Sequence, residues 1–312
     1  MIFSRELINK NIKYHNWVIK DTYFEKHEYD FDHLSSLVDA YKNLFIANNA
    51  TVGKTVIIGN KVSIEQIALV LACAELGLVI TVIGYPFSVP DHRKQIVNLR
   101  YPGSTDFFVV KNNTCTKKFQ IFKDICTKTL ILDQESLDYA KNDKIYSNDN
   151  STLLKCASDN TGTTDKAIYH THEFFVNLLQ KNSELLYGKI GVSLDNLSHG
   201  SNPNMQFLFG LLSDSVTDYY NFNVVRNCNI LIAQQLKKNN ILLDHLIVPH
   251  THLVEGKFFD STETLNNCTL YTLGELKKEW VDKFQGKVKD IIRIYGNSET
   301  YGPTLITKIT QL

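Results

Sequence analysis

The chain has 312 residues, with 33 Lys+Arg balancing 33 Asp+Glu, and a pI near 7.1. That balance excludes a dedicated nucleic-acid or anionic-membrane binder, whose mark is a basic excess. A hydrophobic share of 43% with 15 Gly and 6 Pro excludes a disordered or low-complexity chain, and the length suits one large domain or two modest ones.

The N-terminus, MIFSRELINKNIKYHNW, carries charges and no apolar h-region, so no secretory signal is expected. The longest apolar run, 67–82, is broken by Glu75 and Gly77 and is shorter than the ~18 residues of a membrane span. Cys73, Cys115, Cys126, Cys156, Cys228 and Cys268 form no C-x-x-C pair and read as reduced thiols. Together these features predict a cytoplasmic protein.

Leu34, Leu37, Val38, Tyr41, Leu44 and Phe45 recur at helical spacing over 31–48, with Asp30 or Asp32 as N-cap. A short apolar strand at 56–59 follows. Ser63-Ile-Glu-Gln66 then resembles a capping box, opening a helix that Gly77 ends, and 78–84 is a second buried strand. This strand–helix–strand unit predicts a parallel sheet and an α/β fold. Further strands are expected at 107–110, 129–132, 152–157, 167–170, 243–249 and 291–295, and helices at 173–186, 230–238 and 275–284. An apolar run follows at 207–212, and the Asn-rich stretch 138–151 is expected to be a long loop or a subdomain boundary.

Two segments carry chemistry. Ser158-Asp-Asn-Thr161-Gly162-Thr163-Thr164-Asp-Lys166 places small hydroxyl residues around a glycine, between strands and before a lysine. Hydroxyls and backbone N–H groups donate to phosphate oxygens, glycine permits close approach, and lysine adds positive charge. Tyr295-Gly296-Asn-Ser298-Glu299 follows an apolar strand, and a carboxylate there suits Mg²⁺ held against phosphate oxygens. Taken singly, the first is equally an ordinary polar turn and the second a turn bearing a solvated glutamate. The histidine pairs His170/His172 and His250/His252 lack a Cys or Glu at zinc-site spacing, and no G-x-S-x-G elbow supports a serine hydrolase.

In their order and separation the two segments resemble the motifs of the adenylate-forming superfamily: acyl-CoA synthetases, firefly luciferase and peptide-synthetase adenylation domains. Its phosphate loop S-G-T-T-G-x-P-K-G falls on Ser158, Thr161, Gly162 and Lys166, and its Y-G-x-T-E on Tyr295, Gly296, Ser298 and Glu299. His170-Thr-His172, Asp195-Asn-Leu-Ser-His199 and Thr272-Leu-Gly274-Glu-Leu276 also resemble family segments, and the likeness runs in order from about Phe31 to Tyr301. It departs at Asp159 and Asn160, and at Thr164-Asp165, which makes the loop one residue longer.

The resemblance implies an α/β fold of two interleaved subdomains with mostly parallel sheets, one at about 52–172 and the other at 1–51 plus 173–312. Because the chain ends at Leu312, it implies the large N-terminal domain without the small C-terminal one. The implied reaction is ATP- and Mg²⁺-dependent conversion of a carboxylic acid to an acyl-adenylate. Lys166, His199 and Glu299 would be catalytic, with Glu299 holding Mg²⁺. Ser158, Thr161, Gly162, Thr163, Thr164 and Lys166 would bind the β/γ-phosphates and Ser298 the α-phosphate. Tyr295 and Gly296 would bind the adenine, while His199 and the Gly274 turn would line the carboxylate pocket. Transfer to coenzyme A or a carrier protein would need a second polypeptide or is absent. The competing expectation is a non-catalytic scaffold of the same fold, with a protein partner or a second copy covering the face left by the C-terminal domain.

Overall fold

The computed structural model describes residues 13–20, 23–59, 63–82, 105–113, 120–148, 150–157, 167–182, 186–195, 215–224, 228–254, 256, 258–260, 262–274, 276–296, 300 and 305–309. These residues fall into two compact units. One is Asp30–Leu178, and the other is assembled from Ile12–Tyr29, Leu179–Asn196 and Met205–Leu312.

The first unit is a six-stranded sheet built from β3 (Thr55–Ile58), β4 (Val79–Val82), β5 (Thr105–Val110), β6 (Cys126–Ile131), β7 (Thr152–Ala157) and β8 (Ala167–Thr171). The order is β6-β5-β3-β4-β7-β8, parallel throughout except for β8. The expected strand–helix–strand unit forms as β3, α2 (Ile64–Leu76) and β4. Ser63 caps α2 by accepting from the Gln66 N–H, and Gly77 ends it at φ 67°, a left-handed conformation that a Cβ disfavours. Helix α1 (Phe31–Ala47) is capped by Asp30, whose carboxylate accepts from the His33 N–H.

Expectation grouped residues 1–51 with 173–312, but α1 belongs to the first unit. Its apolar face is buried there, and a polar tie joins it to α2. Lys42 of α1 and Glu75 of α2, both wholly buried, form an ion pair at 2.5 Å, and the Lys42 ammonium also donates to the Asn142 carbonyl. Asn43 donates to the carbonyls of Asp138 and Ala140, and the Tyr146 N–H donates to the Glu75 carbonyl. The Asn-rich stretch after the short helices α3 (Gln120–Ile125) and 132–134 has no regular structure, yet these bonds strap it to α1 and α2.

The second unit is an eight-stranded sheet in the order β14-β13-β12-β11-β9-β10-β1-β2. Its strands are β1 (Lys13–Ile19), β2 (Phe24–Tyr29), β9 (Tyr187–Asp195), β10 (Ser215–Val224), β11 (His245–Pro249), β12 (Leu265–Leu273), β13 (Val288–Tyr295) and β14 (Leu305–Lys308). The six inner strands are parallel, and the edge strands β2 and β14 are antiparallel to their neighbours. Four helices complete the described elements: α4 (His172–Asn182), α5 (Ile232–Lys238), α6 (His250–Val254) and α7 (Lys278–Phe284). Ile232, Ala233 and Leu236 of α5, Leu253 of α6 and Phe284 of α7 share one buried cluster with Phe222, Leu246, Val248 and Leu270 of the strands. Each of these Ile, Leu, Val and Phe side chains contributes roughly 1.5–3 kcal/mol by leaving water. Strands β1, β2, β9, β10, β12 and β14 were not anticipated, and the expected run 207–212 lies outside the described residues. Two mostly parallel sheets in an α/β chain are the expected architecture.

Candidate active site

Strands β11, β12 and β13 run parallel with Pro249 beside Leu273 and Leu273 beside Ile294. The next residues, His250, Gly274 and Tyr295, therefore emerge side by side from one carboxyl edge, the position where open α/β sheets bind ligands. Tyr295 is 53% exposed there, and Gly296 follows it. Gly274 has φ +96°, and a Cβ at this position would stand 2.7 Å from His250 Nδ1. Only glycine fits, both for its backbone conformation and for the ring packed against it.

The His250 ring is fixed by a second contact. Its Nδ1 lies 3.1 Å from the Leu273 carbonyl oxygen. A carbonyl can only accept, so Nδ1 carries the proton. Two residues on, His252 Nδ1 is hydrogen-bonded to Ser193 Oγ of β9 at 2.8 Å, and both side chains are wholly buried. Among the described residues no group of three or more His, Cys, Asp or Glu is placed to hold a metal ion.

In the first unit, Ala157 at the end of β7 pairs with Ala167 at the start of β8. Strand β7 is parallel to β4 through Ile80 and Leu154, so segment 158–166 departs from the carboxyl edge of that sheet as well. The Thr81 hydroxyl donates to the Lys155 carbonyl just before it. His170 is buried and stacks on Phe174 at 4.3 Å, and His172, also buried, donates its N–H to the Ser151 carbonyl. Ser158, Thr161, Gly162, Thr163, Thr164, Lys166, His199, Ser298 and Glu299 lie outside the described residues. Of the expected site residues the structure thus brings together Gly274, Tyr295 and Gly296. It adds His250 and His252, whose sequence signal was a His-x-His directly after an apolar strand, and Ser193, which had none.

Away from this edge, burial lowers the pKa of His15, an effect that Glu28 and Asp218, at 3.8 and 3.6 Å from its ring nitrogens, oppose. Burial, then Asp218 and Glu28, push the Tyr220 hydroxyl up to about 12, and its ring stacks on His15 at 4.4 Å. Burial lowers His245 as well.

No family model and no curated protein sequence matches the chain. Solved structures do. The fatty acyl-adenylate ligase of L. pneumophila, solved with acyl adenylate and pyrophosphate, is 14% identical at a TM-score of 0.71, covering 98% of this chain and 56% of that one. The N-terminal subdomain of Klebsiella oxytoca NpsA is 13% identical at 0.70, covering 99% of this chain and 76% of that one. The o-succinylbenzoate CoA synthetase MenE of Bacillus subtilis is 12% identical at 0.71, covering 98% and 61%. The chain thus spans little more than half the length of the ligase. At these identities the likeness is one of fold: the α/β architecture is that of the N-terminal domains of adenylate-forming enzymes. Among the described residues no helix is long and apolar enough to cross a membrane.

Proposed function

We propose that the chain carries the adenylating half-reaction of an acid-activating enzyme. A substrate carboxylate oxygen attacks the α-phosphorus of ATP, forming the acyl–phosphate bond. The bond from the α-phosphorus to the bridging oxygen breaks, and pyrophosphate leaves with the electron pair. One observation carries this reading. Both segments singled out in the sequence leave the carboxyl edge of a parallel sheet, in a fold shared along 98% of the chain with a ligase solved with acyl adenylate and pyrophosphate.

The described residues fit a nucleotide and an acid. Tyr295 offers an exposed aromatic face for adenine, and Gly274, on the neighbouring strand end, lets the main chain turn at positive φ. Lys166 with the hydroxyls of Ser158, Thr161, Thr163 and Thr164 would hold the β/γ-phosphates around Gly162, and Ser298 the α-phosphate. His199 would face the carboxylate beside Gly274. Glu299 would hold Mg²⁺, which neutralises phosphate charge when bound. Such a reaction needs positioning and charge stabilisation rather than covalent chemistry by the protein. Coenzyme A or a carrier protein would then accept the acyl group.

The test is pyrophosphate–ATP exchange over a panel of fatty, aromatic and amino acids. Exchange should require Mg²⁺ and vanish in Glu299→Gln. A second reading, a scaffold of this fold without catalysis, is favoured by Asp159, whose carboxylate stands in the phosphate segment. No exchange with any acid, together with a melting temperature that ATP leaves unchanged, decides for the scaffold.

A further inference from the structure

The pair His250/His252, which fits no zinc spacing, is engaged in two opposite directions. Strand β11 lies between β12 and β9 in the sheet, and helix α6 follows it directly. From α6, His250 reaches the Leu273 carbonyl at the end of β12, and His252 reaches Ser193 near the end of β9. Neither ring converges on a common point with the other, as two ligands of one metal would.

We infer that His250-Thr251-His252 is a clamp across the carboxyl ends of three consecutive strands, and that His250 is the positioning residue of the acid-receiving turn. Three observations carry the inference. The His250 ring occupies the space over Gly274, 2.7 Å from where a Cβ would be. Its Nδ1–H holds the carbonyl of the preceding residue, which fixes the peptide plane leading into the turn. The other arm is wholly buried and hydrogen-bonded to Ser193, which anchors α6 to β9. A site loose by about 1 Å loses much of its discrimination. The donor role needs no change of charge, because Nδ1 bears its proton in the neutral tautomer and in the imidazolium alike. The clamp itself stands on geometry; its consequence for the acid rests on the function proposed above.

The test uses the full chain and the variants His250→Ala, His250→Asn and Ser193→Ala. Asn places its amide Nδ2 where the ring carries Nδ1, so it keeps the donor while removing imidazole chemistry. Hydrogen exchange of the ligand-free protein comes first. His250→Ala should speed exchange over residues 268–274 by about tenfold, the loss of one ordinary hydrogen bond, and His250→Asn should restore protection. Ser193→Ala should speed exchange over 190–195. In pyrophosphate exchange, His250→Ala should raise the KM for the acid by about tenfold, with kcat and the KM for ATP within about twofold. The ratio of variant to wild-type KM should be the same at pH 6 and pH 8. If Asn behaves like Ala, or Ala leaves protection over 268–274 unchanged, the clamp is refuted. If the wild type shows no exchange with any acid, the proposed function fails, while the hydrogen-exchange result still decides the clamp.

Discussion

Replacing Lys42 by Met probes the tie that holds the Asn-rich strap to α1 and α2. The Lys42 and Glu75 side chains are 0% exposed and meet at 2.5 Å, and the ammonium also serves the Asn142 carbonyl. Removing one partner of a buried ion pair leaves the other charge desolvated, at a cost of about 3–5 kcal/mol. For a chain of this size each kcal/mol shifts the melting temperature by roughly 2–4 °C, so the variant should melt roughly 6–20 °C lower. The double variant Lys42→Met/Glu75→Leu removes both charges and should recover most of this, ending within about 1–2 kcal/mol of wild type, the residue being the orphaned carbonyl. Differential scanning calorimetry gives the melting temperatures, and hydrogen exchange over 138–147 reports the strap. A single variant melting within 2 °C of wild type, or a double variant worse than the single, would refute the reasoning.

Three further outcomes are expected. Gly274→Ala, with φ +96° and His250 Nδ1 at 2.7 Å from the new Cβ, should lose about 1–3 kcal/mol; adding His250→Ala should return the steric part, as thermal denaturation of the two variants will show. His15 has a folded pKa below its ordinary 6.5 because burial disfavours the charged ring, so its stabilising effect is complete above that value and is lost as pH falls below it. Melting temperature should therefore decline from pH 7 towards pH 5, and His15→Gln should flatten that slope; an unchanged slope overturns the assignment. Burial pushes the Cys73 and Cys268 thiols far up and that of Cys126 up to about 12, so native protein should label slowly with a disulfide reagent at these three and quickly in denaturant, as read by peptide mass.

Much of the first unit is legible in the sequence because its signals are local. Ser63 and Gln66 lie three residues apart, Gly77 directly follows the helix it ends, and β3 and β4 are near-continuous apolar runs. The second unit is less legible because its strands carry polar residues whose partners are remote. Asn221 and Asn223 of β10 are buried by hydrogen bonds to Tyr14 and Asn16, 207 residues away in the chain, so they read as loop residues until the sheet assembles. At the site, Tyr295 could be foreseen because it closes an apolar strand, whereas Gly274 is marked only by the family resemblance of segment 272–276, since β12 is not legible. The partners of His250 and His252 could not, because Leu273 and Ser193 lie 23 and 59 residues off and adjoin them only through strand order. The same separation makes a His-x-His look like half a metal site.

The pairing of Ala157 with Ala167 bears on how the segment between them tolerates change. Its ends are pinned as neighbours on two antiparallel strands, so a change in its length leaves the sheet register untouched. Lengthening an eight-residue connection to the nine residues of 158–166 costs only about 0.1 kcal/mol in closure entropy. Length is therefore a weak filter on such a segment, whereas a single added charge acts on every anion that comes within reach.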